Sequence, residues 1–289
     1  MILGPQAPAV VERLGWGLCF RLGLPPTRAA RWAWLADTHV SADPTANCHG
    51  VRPVAQLERF VAEVRASRPT GVLVNGDLAW ESGELGDYSR LADLVQPLRA
   101  RFPLVLVPGN HDRRANMLAQ LGGMPRRDPG RIAAIVDQPP FRLVALDSVA
   151  EVGDVGGEIG ADQLEWLDGL LARAQGRLTL VFVHHPGEST SEGCRDFQDL
   201  QTIALSHGTV PAIITAHDHE FAVARAGGLF LIALPALGFP FDPATQCGWI
   251  EACCSAEGAR LYPRGGLSGP VRSLFWEEGA RAFLASRTR

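Results

Sequence analysis

The chain of 289 residues is 46% hydrophobic with a formal net charge of −4, enough apolar material for one large α/β domain or two small ones. Acidic and basic residues are mixed throughout, which excludes the basic face that nucleic-acid polymers need and the polybasic patch of a membrane anchor. All 27 basic residues are arginine, so Schiff-base, P-loop and kinase lysine chemistry drop out.

In chain order, the first apolar stretch, VVERLGWGLCFRLGL (10–24), has a leader-like hydropathy. Glu12, Arg13 and Arg21 interrupt it and no small-residue cleavage site follows, so residues 1–30 are read as an extension packing on the domain. Short apolar runs then recur at 31–36, 71–75, 103–108, 141–147, 178–184 and 211–215 and read as strands. Between them, 53–67, 87–102, 161–175 and 194–207 show apolar spacing of three and four, which predicts helices. That alternation is the α/β pattern.

After His219 the pattern changes to short runs separated by Gly and Pro, FAVARA, GLFLIALPAL, GWIEACC and ARLYP, which predicts successive antiparallel strands and a second or mixed sheet. Residues 122–131 are the most loop-like interior stretch, too short for a domain linker. The closing segment, VRSLFWEEGARAFLASR (271–287), reads as a helix within a C-terminal piece 263–289. No run of 18 apolar residues exists, so no segment spans a membrane. Six cysteines, at 19, 48, 194, 247, 253 and 254, lack C-x-x-C spacing, and reduced thiols in a cytoplasmic protein are the reading.

The strand ends carry the chemistry. Asp37 and His39 follow the first strand, Asp77 the second, and Asn110, His111 and Asp112 the third. VHHP brings His184 and His185, and AHDH brings His217 and His219. An H-x-H pair on extended chain points both imidazoles to one side, yet alone it is a weak metal signal. In an open α/β sheet, ligands bind outside the carboxyl ends of the strands, so five separate segments would deliver these groups to one crevice. Six of the eight histidines lie in them. A lone histidine is more often a core residue and a lone aspartate after a strand more often a cap. The ordered set argues for a site.

The motifs DTH (37–39), GD (76–77), GNHD (109–112), HH (184–185) and AHDH (216–219) resemble, in order, the signature of the calcineurin-like metallophosphoesterase family. The stretches DTHVSADPTANCHGV, NGDLAWESG and GGEIGADQLEWLDGLL look like its branch of bacterial cyclic-nucleotide phosphodiesterases. The resemblance implies a four-layer α-β-β-α sandwich with two mixed sheets over residues 31–262. It also implies one metal held by Asp37, His39, Asp77 and His219, and a second held by Asp77, Asn110, His184 and His217, with His185 as an alternative to His184. Asp77 would bridge them, catalysis would run through a hydroxide bridging the two ions, and His111 would act on the phosphate. Imidazole and carboxylate ligands without thiolate suit Mn, Fe or Zn.

Two positions depart from the family pattern. Ala216 replaces a glycine, and Trp80 stands where much of the family has an aspartate that pairs with the motif histidine, leaving His111 without an orienting carboxylate. His49 and Arg52 in the loop after the first motif, with Arg113 and Arg114 after the third, are candidate substrate contacts, the arginines through bidentate bonds to phosphate. The expected activity is hydrolysis of a small-molecule phosphoester, a diester such as a cyclic nucleotide. A phosphomonoesterase on the same centre is the alternative, and a catalytically silent interaction scaffold of the same fold is the rival from another class.

Overall fold

The computed structural model describes residues 1–5, 10–124, 128–173, 176–187 and 192–276. Its centre is two sheets packed face to face. The first has β4 (Ala29–Leu35), β5 (Gly71–Asn75) and β6 (Leu104–Val107) parallel at its middle, with β1 (Ile2–Leu3) antiparallel on the β6 edge. On the other side of β4 run β13 (Gly248–Ser255), β14 (Gly258–Gly265) and β15 (Arg272–Phe275), all antiparallel.

The second sheet runs in the order β11 (Ala222–Ala226), β12 (Leu229–Ala233), β10 (Ala212–Thr215), β9 (Leu178–Val183), β8 (Phe141–Leu146), β7 (Arg131–Gln138), β3 (Gly17–Gly23) and β2 (Val10–Leu14). It is also mixed: β8, β9, β10 and β12 are parallel, while β7 runs antiparallel to β8.

Period-two alternation explains the layers. On β9, Leu180 and Phe182 join the large core between the sheets, while Val181 and Val183 join a separate cluster under α4 (Ala161–Ala172) and α5 (Phe197–His207). Trp34 of β4 meets Phe182 edge-on at 5.3 Å across the sheet interface. Trp32 donates its indole N–H to Gln138 of β7 at 3.0 Å. The first sheet is covered on its outer side by α1 (Pro53–Ser67), α2 (Leu85–Arg99) and α3 (Arg114–Gly122). In α1, Val54, Leu57, Phe60, Val61 and Val64 are buried at helical spacing. Proline at its first turn suits a position whose N–H needs no helical partner. The architecture is therefore the four-layer α/β sandwich with two mixed sheets.

Two expectations need revision, and a third takes a definite form. The 271–287 segment does not open as a helix: Arg272–Phe275 pairs with β14, Leu261 opposite Arg272 and Ala259 opposite Leu274. The open edge of β14 offers a ladder of backbone partners, and the segment takes them, burying Leu274. Residues 277–289 lie outside the described residues. The antiparallel strands expected after His219 form as two hairpins, β11–β12 on the second sheet and β13–β14 on the first. Residues 1–30 contribute strands to both sheets, with β3 parallel to β7 over seven residues.

Candidate metal centre

Beyond their strands, β4 and β5 stay side by side, with Asp37 N–H to Gly76 O at 3.1 Å and His39 N–H to Asp77 O at 3.0 Å. The backbone there is bent. Among the described residues seven non-glycine positions have positive φ, and five of them are Asp37 (51°), His39 (42°), Asp77 (46°), His217 (72°) and His219 (58°). Such a conformation costs on the order of 1–3 kcal/mol per residue and persists where surroundings enforce it. Here it falls on the residues whose side chains meet at the carboxyl ends of both sheets.

They meet in two groups. Asp37, His39, Asp77 and His219 bring donor atoms within 4.8 Å of one another, as do His184, His185 and His217. Asp77 lies between them: Oδ2 is 3.6 Å from His39 Nε2, and Oδ1 is 3.4 Å from His184 Nε2. The His111 backbone N–H donates to Oδ1 at 3.0 Å and holds the carboxylate in that attitude. Asn110 is 1% exposed with Oδ1 unpartnered.

Backbone carbonyls set the imidazoles. His39 Nδ1–H donates to Trp80 O at 3.1 Å, His184 Nδ1–H to Asn75 O at 2.9 Å, and His111 Nδ1–H to Glu81 O at 2.9 Å. Each leaves Nε2 for the crevice. Two glycines allow this closeness. A Cβ on Gly76 would stand 2.0 Å from His184 Nδ1, and one on Gly109 2.2 Å from Asp77 Oδ1.

Electrostatics follow from burial and the two carboxylates. Burial lowers His39 and His217 to about 4, so both are neutral donors. Burial opposes charge on His184 too, but the Asp77 and Asp37 carboxylates outweigh it and lift the imidazole to about 9. Burial likewise works to raise Asp77, yet His184, then His39 and His111, hold it well below the usual carboxylate range.

Six of the seven expected ligands, with His111 and His185, lie together, and Asn110 sits between Gly109 and His111, both of which lie against Asp77. His185 is fully buried, donates or accepts at Ser148 Oγ (2.7 Å) through Nδ1, and has Nε2 unpartnered. It joins His184 and His217 rather than replacing His184. Ala216 does not take a left-handed backbone; that burden falls on His217 and His219, and the Ala216 N–H reaches His184 O at 2.9 Å. The missing carboxylate at Trp80 is made good for His111 by the Glu81 carbonyl. Arg114 is not available to phosphate, because it forms a bidentate pair with buried Asp147 at 2.7 and 2.8 Å. His49, Arg52 and Arg113 are exposed, and Arg113 reaches Ser82 O at 3.4 Å and Glu84 at 4.0 Å.

Four supporting residues were given no role from the sequence: Asp112 within the third motif, Asn75, Phe239 and Phe241. Asp112, fully buried, accepts from Leu78, Ala79 and Gly109 N–H and from Tyr88 O–H, tying the second motif to the third. Asn75 donates across the sheets to Val183 O at 3.1 Å; a polar residue ending an apolar strand was its only trace. Phe239 and Phe241 lie against His39 and His219.

The donor set fits divalent cations. Of twelve buried side-chain N or O atoms without a partner among the described residues, seven are here, on Asp37 (both oxygens), His39, Asn110, His184, His185 and His219. Leaving such atoms unpaired costs about 1–3 kcal/mol each, and lone-pair donors converging in one pocket are what an ion would satisfy.

The family model described as calcineurin-like phosphoesterase matches residues 30–221. The chain is 29% identical over 258 residues to the 3',5'-cyclic adenosine monophosphate phosphodiesterase CpdA of Escherichia coli, covering 83% of this chain and 88% of that protein. It is 28% identical over 182 residues to the glycerophosphodiester phosphodiesterase GpdQ of Enterobacter lignolyticus, covering 58% and 63%. A dimetal phosphatase of Danio rerio shares the fold, with a TM-score of 0.67 over 86% of this chain and 99% of that one at 18% identity.

Proposed function

The chain belongs to the calcineurin-like phosphoesterase family, a metal-dependent phosphoesterase class, and from that premise we propose that it hydrolyses phosphodiesters, cyclic nucleotides among them. Asp37, His39, Asp77 and His219 would hold one divalent ion; Asp77, Asn110, His184 and His217 the other, with His185 beside them. The observation that carries this reading is the attitude of Asp77, one oxygen facing each donor group at 3.6 and 3.4 Å. Mn, Fe or Zn suits these donors.

Bound divalent ions acidify water and neutralise charge on phosphoryl oxygens. The protein's own part is to orient and to move a proton. Hydrolysis forms a P–O bond from water, breaks one ester P–O bond and delivers a proton to the departing oxygen. His111 Nε2 lies 3.9 Å from Asp77 Oδ2 at the mouth of the site, its side chain 28% exposed. With Nδ1–H held by Glu81 O, Nε2 faces the site, and in the imidazolium form, where Nε2 carries a second proton, it is set to donate that proton to the departing oxygen or a hydrogen bond to a phosphoryl oxygen. His49, Arg52 and Arg113 are assigned to the rim. The Cys48 thiol reaching Pro240 O at 3.4 Å supports this for His49, because it lays that loop beside Phe239 and Phe241.

A small-molecule substrate and a cytoplasmic setting complete the proposal. No helix of the described residues is long and apolar enough to cross a membrane, and the six cysteines are free thiols. The test is kcat/KM of the manganese-reconstituted full chain on bis-(p-nitrophenyl) phosphate and cyclic nucleotides against p-nitrophenyl phosphate. Higher values on the diesters are expected; preference for the monoester overturns the substrate assignment.

A further inference from the structure

The segment after β12 returns to the metal centre. Leu237 N–H bonds Ala36 O at 2.9 Å and Gly238 N–H bonds Asp37 O at 3.3 Å. This anchorage places Phe239 4.3 Å from the His39 ring and Phe241 parallel to His219 at 3.9 Å and 13°. Trp80 packs edge-on against Phe239 at 5.2 Å. Phe241 is 59% exposed although it lies on a histidine that is 3% exposed. The ring covers His219 on one side and is open to the cavity on the other.

Beside Phe241 and His219 opens a cavity of about 550 Å³, also lined by Asp218, Glu220, Gln246 and Arg272, within the size range of ligand pockets. Its polar groups are differentiated. Gln246 Oε1 is committed to Ser268, accepting its N–H at 2.7 Å and O–H at 2.9 Å, so the amide NH2 is the group left to donate. The Arg272 guanidinium has no partner among the described residues and adds a second donor. The carboxylates of Asp218 and Glu220 are acceptors, and they outnumber the one cation, which disfavours a second phosphate here. The cavity therefore offers an aromatic face, donors and acceptors to an uncharged group whose phosphate lies at the adjoining centre.

We propose that Phe241 and the cavity beside it seat the planar, hydrogen-bonding arm of the substrate, a nucleobase, and so set a preference for nucleoside phosphodiesters over diesters with aliphatic arms. The inference rests on the phosphodiesterase reading above. Phe241 acts by stacking and takes no part in bond breaking.

The test is the ratio of kcat/KM for 3',5'-cyclic AMP to that for glycerophosphoethanolamine on manganese-loaded full chain, with bound metal measured on the same samples. Phe241→Ala is expected to lower the ratio about tenfold or more, inside the range that loss of a base-stacking aromatic gives. Phe241→Trp restores it. Gln246→Ala lowers it without loss of metal. An unchanged ratio in Phe241→Ala, or a parallel loss of both rates together with metal, overturns the inference and leaves Phe241 as support for His219. Should wild-type protein hydrolyse neither diester, the phosphodiesterase reading itself fails, a result distinct from an unchanged ratio.

Discussion

Replacing Asp112 by alanine removes a carboxylate that has no exposed surface and accepts four hydrogen bonds, from Leu78 N–H (2.9 Å), Ala79 N–H (3.1 Å), Gly109 N–H (2.9 Å) and Tyr88 O–H (2.9 Å). Each buried donor left without an acceptor costs about 1–3 kcal/mol, roughly 4–12 kcal/mol for four taken separately. Two effects reduce that sum. Burial, and then the Asp77 carboxylate, push Asp112 up to about 6, so holding it ionised already cost stability. Water entering the vacated space also satisfies part of the donors. The expected net loss is about 3–5 kcal/mol, the scale of a buried charged network with one member removed. That is a large fraction of the 5–15 kcal/mol that roughly spans domain stabilities. Asp112→Asn should lose about half as much, since its amide keeps one acceptor oxygen and turns a donor toward the others. Urea unfolding of both variants measures this through the midpoint and slope. Midpoints corresponding to less than about 0.5 kcal/mol of change, the range of ordinary surface substitutions, would refute the role given to Asp112.

His111→Gln should lower kcat about 100-fold while bound metal stays at the wild-type level, with a larger loss on alkyl than on p-nitrophenyl leaving groups; steady-state rates with metal analysis decide it, and equal losses on both leaving groups contradict proton donation. Gly109→Ala puts a methyl 2.2 Å from Asp77 Oδ1 and 2.8 Å from His184 Nε2, so metal content and kcat should both fall, the latter by about 100-fold for a displacement near 1 Å. His207→Ala is the control: His207 pairs with Asp168 at 2.7 Å on the surface, and its loss should change neither rate nor metal content.

Legibility followed the local signal. Runs such as 71–75 and 104–107 are buried on both faces and end abruptly in polar residues, so both the strand and its chemical tip could be read. β7, with IAAIV inside it, is nearly as buried, but its paired alanines interrupt the run of large apolar side chains that marked the others. β3 has Arg21 inside a short apolar stretch that follows Glu12 and Arg13 of β2, and it looked like an extension; its place beside β7 depends on a pairing more than a hundred residues away. β15 failed for a different reason: its ladder partner β14 was itself legible as a strand, but that the next segment adds to its open edge is tertiary information. At the site, motif order brought out the candidate ligands, because each follows a strand end. The Glu81 carbonyl behind His111, the Asp112 clamp and the Phe241 stack are tertiary contacts. A backbone oxygen standing in for an absent carboxylate leaves no trace in residue identity.

The most direct test of the dinuclear centre is anomalous diffraction from manganese-soaked crystals of the full chain. Two peaks are expected, about 3.5–4 Å apart, with Asp77 touching both, Asp37, His39 and His219 on one side and Asn110, His184 and His217 on the other. A single peak at full occupancy, or a second peak that Asp77 does not contact, would contradict the shared-carboxylate centre on which the proposed hydrolysis rests.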